Sequence, residues 1–445
     1  MKTPFIATLL LASLAAVPPA PAAENALTTA GLADAIQKLP ARVKAGELKE
    51  SVDLVRQIGS LSGLTMKDRK QLAAAFQIIH AELARRNEAD LLFPAAEHAR
   101  KLFPGERWSG INLGEAAVRK GDFELAARVL PEAAGQPNRM GTAAPDDESR
   151  LNVLLARTWL TLNKLDKART AADAAIAADP ADARGLYLKA QILLRSGDHD
   201  QACKLSREAF AKNPKAALPS DYLVRASCLL RGKDFDTARK VMEEAIKQYP
   251  TAPGLHFGLG QAFLALQGQS KDNVARAFYQ FQHEIMLSGP RSNYTGEAKD
   301  QLEILTALIA EEKDNEAYLK VAYGAAAIQY MKPGSYDKAI AEIQKGLRTN
   351  GDDCLPLQML LGQAYGFLGK HEEAIEAFSN LLRIDPAFVP AYVELGHQYL
   401  ALGKDDQAKE QYARALVIDR ANWRVAEIVQ FLKDSKSRET GAKKE

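Results

Sequence analysis

Apolar and small residues recur along most of this chain at helical spacing, in a pattern that itself repeats. Within residues 355–422 one 34-residue unit is written twice. Leu361-Gly362, Tyr365, Gly369, Ala374, Phe378 and Leu381 return as Leu395-Gly396, Tyr399, Gly403, Ala408, Tyr412 and Ala415. In the first copy Leu357, Leu360, Leu361 and Tyr365 share one helical face, and Ala374, Phe378 and Leu381 share another. Each unit therefore predicts two short amphipathic helices. Gly369 ends the first, where a left-handed backbone is cheap for glycine. Pro386 stops the second, because its ring cannot continue a helix and it restricts Asp385 before it. Gly362 and Ala374 are small, so the two helix backbones are expected to approach closely. One such hairpin cannot bury its apolar face alone, whereas stacked copies can.

The same pattern runs back through the chain. Residues 107–140 carry Leu113-Gly114, Gly121 and Ala126. Three further copies follow at 149–182, 183–216 and 219–252. The copy that begins at His256 departs from the pattern. Its turn, 267–273, is long, and its second helix runs through Ala275, Tyr279 and Phe281 toward Leu287 before Ser288-Gly289-Pro290 breaks it. Thr295 is expected to cap an extra, unpaired helix over 296–312. Residues 288–295 therefore read as a joint between two repeat blocks, 107–290 and 291–434. The second block holds a copy at 320–353, the two copies described first, and a closing helix at 423–434. Upstream, 23–106 reads as two helices within 27–63, a capping box Thr65-x-x-Asp68, and a degenerate unit at 73–106 that lacks the turn glycine. The fold class is all-α. Ala168, Ala202, Ala238, Ala339, Ala374 and Ala408 are expected at buried helix contacts.

The two ends read differently. Lys2, a mostly apolar run from Phe5 to Val17 and Ala20-Pro21-Ala22 have the order of a secretory signal peptide over 1–22, with cleavage after Ala22 or Ala23. No cysteine lies near that junction. The apolar run is too short to span a bilayer comfortably. Residues 435–445 are charged and predicted to be disordered. Export predicts a periplasmic protein in an oxidising compartment.

Charge narrows the function classes. Lys and Arg number 58 against 56 Asp and Glu, so net charge makes no case for nucleic acid. Three cysteines are too few for a disulfide framework. Cys203 begins a second helix and Cys228 ends the next first helix. Antiparallel neighbours would bring them together, which leaves two readings open: two buried free thiols, or a bridge between Cys203 and Cys228.

The period, the Leu-Gly pair, the turn glycine, the small residue at Ala374 and the closing proline resemble the tetratricopeptide-repeat superfamily, here in an exported bacterial member. The resemblance covers about 107–422. It implies a right-handed solenoid whose concave groove is lined by the first helix of each unit, a binding scaffold without chemistry of its own. Transferred to this sequence, the groove positions include Arg150, Arg157, Arg184 and Tyr187 toward one end. Phe257, Gln261 and Leu264 fall in the distorted unit. Val321, Ile328, Met331, Met359, Gln363, Val393 and His397 lie toward the other end. One end is thus basic and the other apolar, and self-packing is one reading of the apolar end. Trp108 falls near a groove position, as a binding aromatic or as packing against the degenerate unit.

Catalytic motifs are missing from the sequence: there is no His-Glu-x-x-His, no Gly-x-Ser-x-Gly and no phosphate-cradling glycine loop. His371-Glu372-Glu373 falls in a repeat turn. His256 and His283 could meet across a hairpin, but two histidines make a weak metal site. The expectation is a non-enzymatic, cofactor-free periplasmic scaffold that binds protein partners in envelope assembly or export, without nucleic acid and without a transmembrane segment in the mature chain. The alternative is a carrier for an apolar ligand, a lipid or sterol, in a cavity lined by the distorted unit and the second block, with Gln261, Gln363 and His397 orienting the ligand.

Overall fold

The computed structural model describes residues 29–59, 64–140, 147–268, 272–290, 292–311, 316–351 and 354–419, with Arg424 and Ile428. The signal peptide, the charged tail and all but those two residues of the closing helix lie outside the described residues. Every regular element among the described residues is helical. The described residues divide into two compact units, the first ending at Ala217 and the second beginning at Leu218. Each is an all-α helical-repeat solenoid. The expected joint at 288–295 falls inside the second unit.

The first unit opens with α1 (Thr29–Ala45), α2 (Leu48–Gly59), α3 (Met66–Arg85) and α4 (Ala89–Leu102). Three hairpins follow: α5 (Arg107–Lys120) with α6 (Phe123–Ala134), α7 (Asp147–Thr161) with α8 (Leu165–Ala178), and α9 (Ala183–Arg195) with α10 (His199–Lys212). The Thr65 hydroxyl accepts from Asp68 N at 3.2 Å and the Asp68 carboxylate accepts from Thr65 N at 3.0 Å, so the capping box forms at the start of α3. The degenerate unit is a complete hairpin after all. Asn87, with φ +57°, supplies the left-handed turn residue expected to be missing. Asn163 and Lys233 do the same in their units. Asparagine is among the residues that tolerate this conformation best after glycine, so the glycine pattern alone under-reads the turns. At three turns the left-handed residue is followed by an aspartate that caps the next helix: Asp122, Asp198 and, in the second unit, Asp234.

The second unit holds α11 (Pro219–Arg231) with α12 (Phe235–Gln248), α13 (Leu255–Ala265) with α14 (Asp272–Ser288), the extra α15 (Asn293–Glu311), and three more hairpins. These are α16 (Glu316–Tyr330) with α17 (Tyr336–Asn350), α18 (Leu355–Phe367) with α19 (His371–Ile384), and α20 (Val389–Ala401) with α21 (Asp405–Ile418). Thr295 does not cap α15. The helix starts two residues earlier, and the buried Thr295 hydroxyl donates back to the Gly289 carbonyl at 2.6 Å, tying α15 to the break after α14.

The six alanines expected at helix contacts are all fully buried. The glycines of the Leu-Gly pairs do something other than let two backbones touch. A Cβ at Gly362 would stand 2.5 Å from the Phe378 ring, and one at Gly396 would stand 2.1 Å from Tyr412. The missing Cβ seats a large side chain from the partner helix.

The distorted unit places α14 against α16, α18 and α20, the first helices of the three hairpins that follow. Leu287 at its end joins a buried cluster with Met359, Phe378, Phe388 and Leu395. The His283 ring meets Phe388 edge-on at 5.0 Å. The second unit thus fills the first-helix face of its last three hairpins with its own helix.

Candidate functional site

In the first unit the corresponding face is open. A cavity of about 490 Å³ is lined from α3, α5, α7 and α9. Each helix contributes at one or two turns: Gln77 and His80 from α3, Trp108 and Glu115 from α5, Arg150 from α7, Arg184 from α9. Glu115 sits at the centre of the charges. Arg150 binds it through two nitrogens, and Arg119 meets its other oxygen at 3.0 Å. Burial pushes the Glu115 carboxyl up, but the His80 hydrogen bond and the Arg150 charge outweigh it and hold it well below the usual carboxylate range. Arg184 is neutralised by its neighbour Asp182 at 2.7 Å.

Beside these paired charges the cavity lining carries three neutral polar groups. His80 is buried, and burial keeps its imidazole neutral against the pull of Glu115. Its Nε2 lies 3.3 Å from the Glu115 carboxylate and must carry the proton, because a carboxylate only accepts. Nδ1 is then a bare acceptor, buried and without a partner. Trp108 Nε1 and Gln77 Nε2 are buried donors without partners. Two donors and one acceptor, lining one cavity, match an extended peptide, whose backbone alternates C=O and N–H. A buried polar group left without a partner costs about 1–3 kcal/mol. Trp108 packs its ring on Phe103 of the degenerate unit at 5.3 Å and is also among the residues that line the groove.

The predicted groove residues divide by unit. Arg150 and Arg184 line the first cavity. Tyr187 does not; it is buried, edge-on to Phe210 at 5.1 Å, with its hydroxyl donating to the Asn213 carbonyl. In the second unit Phe257 is buried between Phe281 and Tyr294, and Val321, Met359 and Val393 are buried. Gln261 and Ile328 are exposed, and Leu264 and Met331 half-buried. Gln363 and His397 meet at a residue the sequence reading missed, Glu394. Gln363 donates to it at 3.4 Å, His397 lies 3.7 Å away, and Arg424 pairs with it at 2.8 Å. Burial raises the Glu394 carboxyl, but His397 and Arg424 bring it down to about 2. Gln77 and His80 were missed because groove positions were not carried into the degenerate unit, and Glu115 because only Trp108 was read as a groove residue in the copy at 107–140.

His256 and His283 do meet, with ring centroids 3.8 Å apart. The rings stack rather than converge their nitrogens, and Gln280 occupies His256 Nδ1 at 2.7 Å. No group of three metal-ligating side chains converges among the described residues. Cys203 lies on α10 and Cys228 on α11, one in each unit. No described helix is long and apolar enough to cross a membrane.

Sequence comparison finds tetratricopeptide-repeat family models matching residues 223–281 and 368–428. The model described as anaphase-promoting complex, cyclosome, subunit 3 matches 161–245. Among solved structures, one titled for Pseudomonas aeruginosa pilF is 17% identical, covers 54% of this chain and 98% of its own, and has a TM-score of 0.39. A human IFIT1 dimer with PPP-AAAA is 14% identical over 89% of this chain and 96% of its own, with a TM-score of 0.34. A tetratricopeptide-repeat protein of Thermus thermophilus is 17% identical over 56% of this chain and 98% of its own, with a TM-score of 0.20. No curated protein matches. Repeats of this kind generally mediate protein–protein interaction.

Proposed function

We propose that this chain, which belongs to the tetratricopeptide-repeat superfamily, is an exported scaffold that holds an extended segment of a protein partner in the groove of its first unit. Its place would be the periplasm, in envelope assembly or export, and we assign it no catalytic role. The observation that carries the reading is a trio of buried polar groups without hydrogen-bond partners among the described residues, on three side chains that line one cavity: Trp108 Nε1, Gln77 Nε2 and His80 Nδ1. An apolar-ligand carrier has less support, because Phe257, Val321, Met359 and Val393 are buried in the second unit's own packing.

The test is site-specific photo-crosslinking in cells. A photoreactive residue at Ala81, on the groove rim, should capture a protein, and capture should fall in a Trp108→Phe background. The same probe at the exposed Ile304 should capture none. Equal capture from both sites would overturn the groove assignment. Export is tested separately: the mature chain should begin at Ala23 or Glu24. A bridge between Cys203 and Cys228 would belong with export. It would stabilise by roughly 3 kcal/mol, and alkylation of all three thiols in the unreduced protein would reject it.

A further inference from the structure

The second unit carries a separate cavity of about 450 Å³, within the range of small-molecule sites. Its walls come from the distorted unit and the hairpins after it: Phe263 on α13, Tyr279 and His283 on α14, Leu355 at the start of α18. Three features of this lining are unfinished. His283 is 4% exposed, and its Nε2 lines the cavity region without a hydrogen-bond partner. Arg276 makes no ion pair among the described residues; its guanidinium lies over the Phe263 ring, 5.6 Å from the centroid. The N-terminus of α18 stands at the cavity wall; Cys354 at the N-cap makes no side-chain cap, and Pro356 in the first turn leaves the N–H of Leu355 and Leu357 as its donors.

Each feature selects a chemistry. An exposed guanidinium without an acid and an uncapped helix N-terminus both favour an anion, and a carboxylate accepts from both kinds of donor. Asp272 also stands on the rim, so the mouth is not a general anion trap and would discourage a multiply charged ligand. His283 is buried and neutral. Whichever tautomer it holds, a hydroxyl can meet its Nε2, since a hydroxyl both donates and accepts. Phe263, Tyr279 and Leu355 supply apolar walls between these polar groups.

We propose that this cavity binds a small monocarboxylate with an apolar, ring-sized body and a hydroxyl at its far end. The carboxylate is met by Arg276 and the α18 N-terminus, and the hydroxyl by His283 Nε2. The site is independent of the partner groove in the first unit.

The test uses 4-hydroxybenzoate as probe, with benzoate and 4-hydroxybenzamide as controls, in saturation-transfer NMR on the full chain. 4-Hydroxybenzoate should bind. 4-Hydroxybenzamide, which lacks the charge, should bind about tenfold more weakly, and benzoate about fivefold. Arg276→Gln, at an exposed position that carries little folding risk, should bring the acid and the amide to equal affinity. His283→Phe should do the same for the pair with and without hydroxyl. No transfer from 4-hydroxybenzoate at millimolar concentration would overturn the proposal. So would binding unchanged by Arg276→Gln, or benzoate matching 4-hydroxybenzoate in the unmodified chain. If His283→Phe does not fold, the comparison of the two acids still decides the hydroxyl contact.

Discussion

The two units are written with the same repeat and use its first-helix face in opposite ways. In the first unit that face is an open polar cavity between α3, α5, α7 and α9. In the second it is covered by α14, and Met359 and Phe388, which share a buried cluster with Leu287 of that helix, are each 2% exposed. The cause is local. Regular units turn through one left-handed residue, such as Gly121 or Asn163. The unit that begins near His256 turns through a longer segment, and its second helix is 17 residues long. That length carries Leu287 to Phe388 and Leu395, three hairpins' worth of packing from a single element. A repeat face is a binding surface only while nothing in the chain reaches it; one longer helix turns it into core.

The largest expected effect follows directly. Phe388→Ala removes a fully buried ring from the filled face and should destabilise by about 3–5 kcal/mol in urea denaturation of the full chain. Ile78→Ala on the rim of the open groove should stay within about 0.5 kcal/mol, since Ile78 is 40% exposed. If Phe388→Ala were as mild as Ile78→Ala, α14 would not be packed on that face as described.

The next effect is smaller and depends on pH. Burial pulls His256 down to about 4, and it pulls His283 well below its ordinary value, helped by the neighbouring His256. A histidine with a depressed folded pKa binds fewer protons folded than unfolded. Its contribution is therefore whole above the unfolded value of about 6.5 and is lost as pH falls toward 4. Between pH 7 and 5 His256 should remove on the order of 2 kcal/mol, with His283 acting in the same direction within the same filled face. The double variant His256→Leu, His283→Leu should flatten the urea midpoint against pH over that range. An unchanged slope in that variant would place the acid sensitivity elsewhere. The open groove should respond less through His80, because the hydrogen bond to Glu115 opposes the effect of burial there.

How much of this could be read in advance depends on how local the cause was. The hairpins, the buried alanines and the Thr65 capping box follow from neighbours within a unit, and the sequence pattern carries them. The turn at Asn87 was missed because the pattern asked for glycine, while the backbone needs only a residue that accepts φ above zero. Thr295 was assigned as a cap because its hydroxyl can serve one; its acceptor, the Gly289 carbonyl, lies before the helix. The groove residues were half legible. Periodicity places Arg150, Met359 and Val393 on first-helix faces. It does not say that α14 covers Met359, because that depends on where a helix ends in space, nor that Val393 is buried with Tyr412 and Ile428. Gln77 and His80 were missed for a different reason: the unit at 73–106 was read as degenerate, and groove positions were not carried into it.

The smallest effect tests whether an unmet polar group serves a partner. Gln77 Nε2 in the open groove and both amide atoms of Gln282 in the second unit are buried without partners. A buried unpaired amide destabilises the fold, so removing it should help. Gln77→Leu and Gln282→Leu should each raise stability by roughly 0.5–1 kcal/mol, the apolar replacement having no donor to satisfy. The two should then part company. Gln77→Leu should cut photo-crosslinking from Ala81 several-fold, because it removes a donor for the partner's backbone, whereas Gln282→Leu should leave it unchanged. A gain in stability at Gln77 with undiminished crosslinking would mean that the amide is only a packing fault and that the groove does not read a peptide backbone there. A loss of stability at Gln77 would mean that the amide already has a partner in solution, and the trio of unmet groups would shrink to Trp108 and His80.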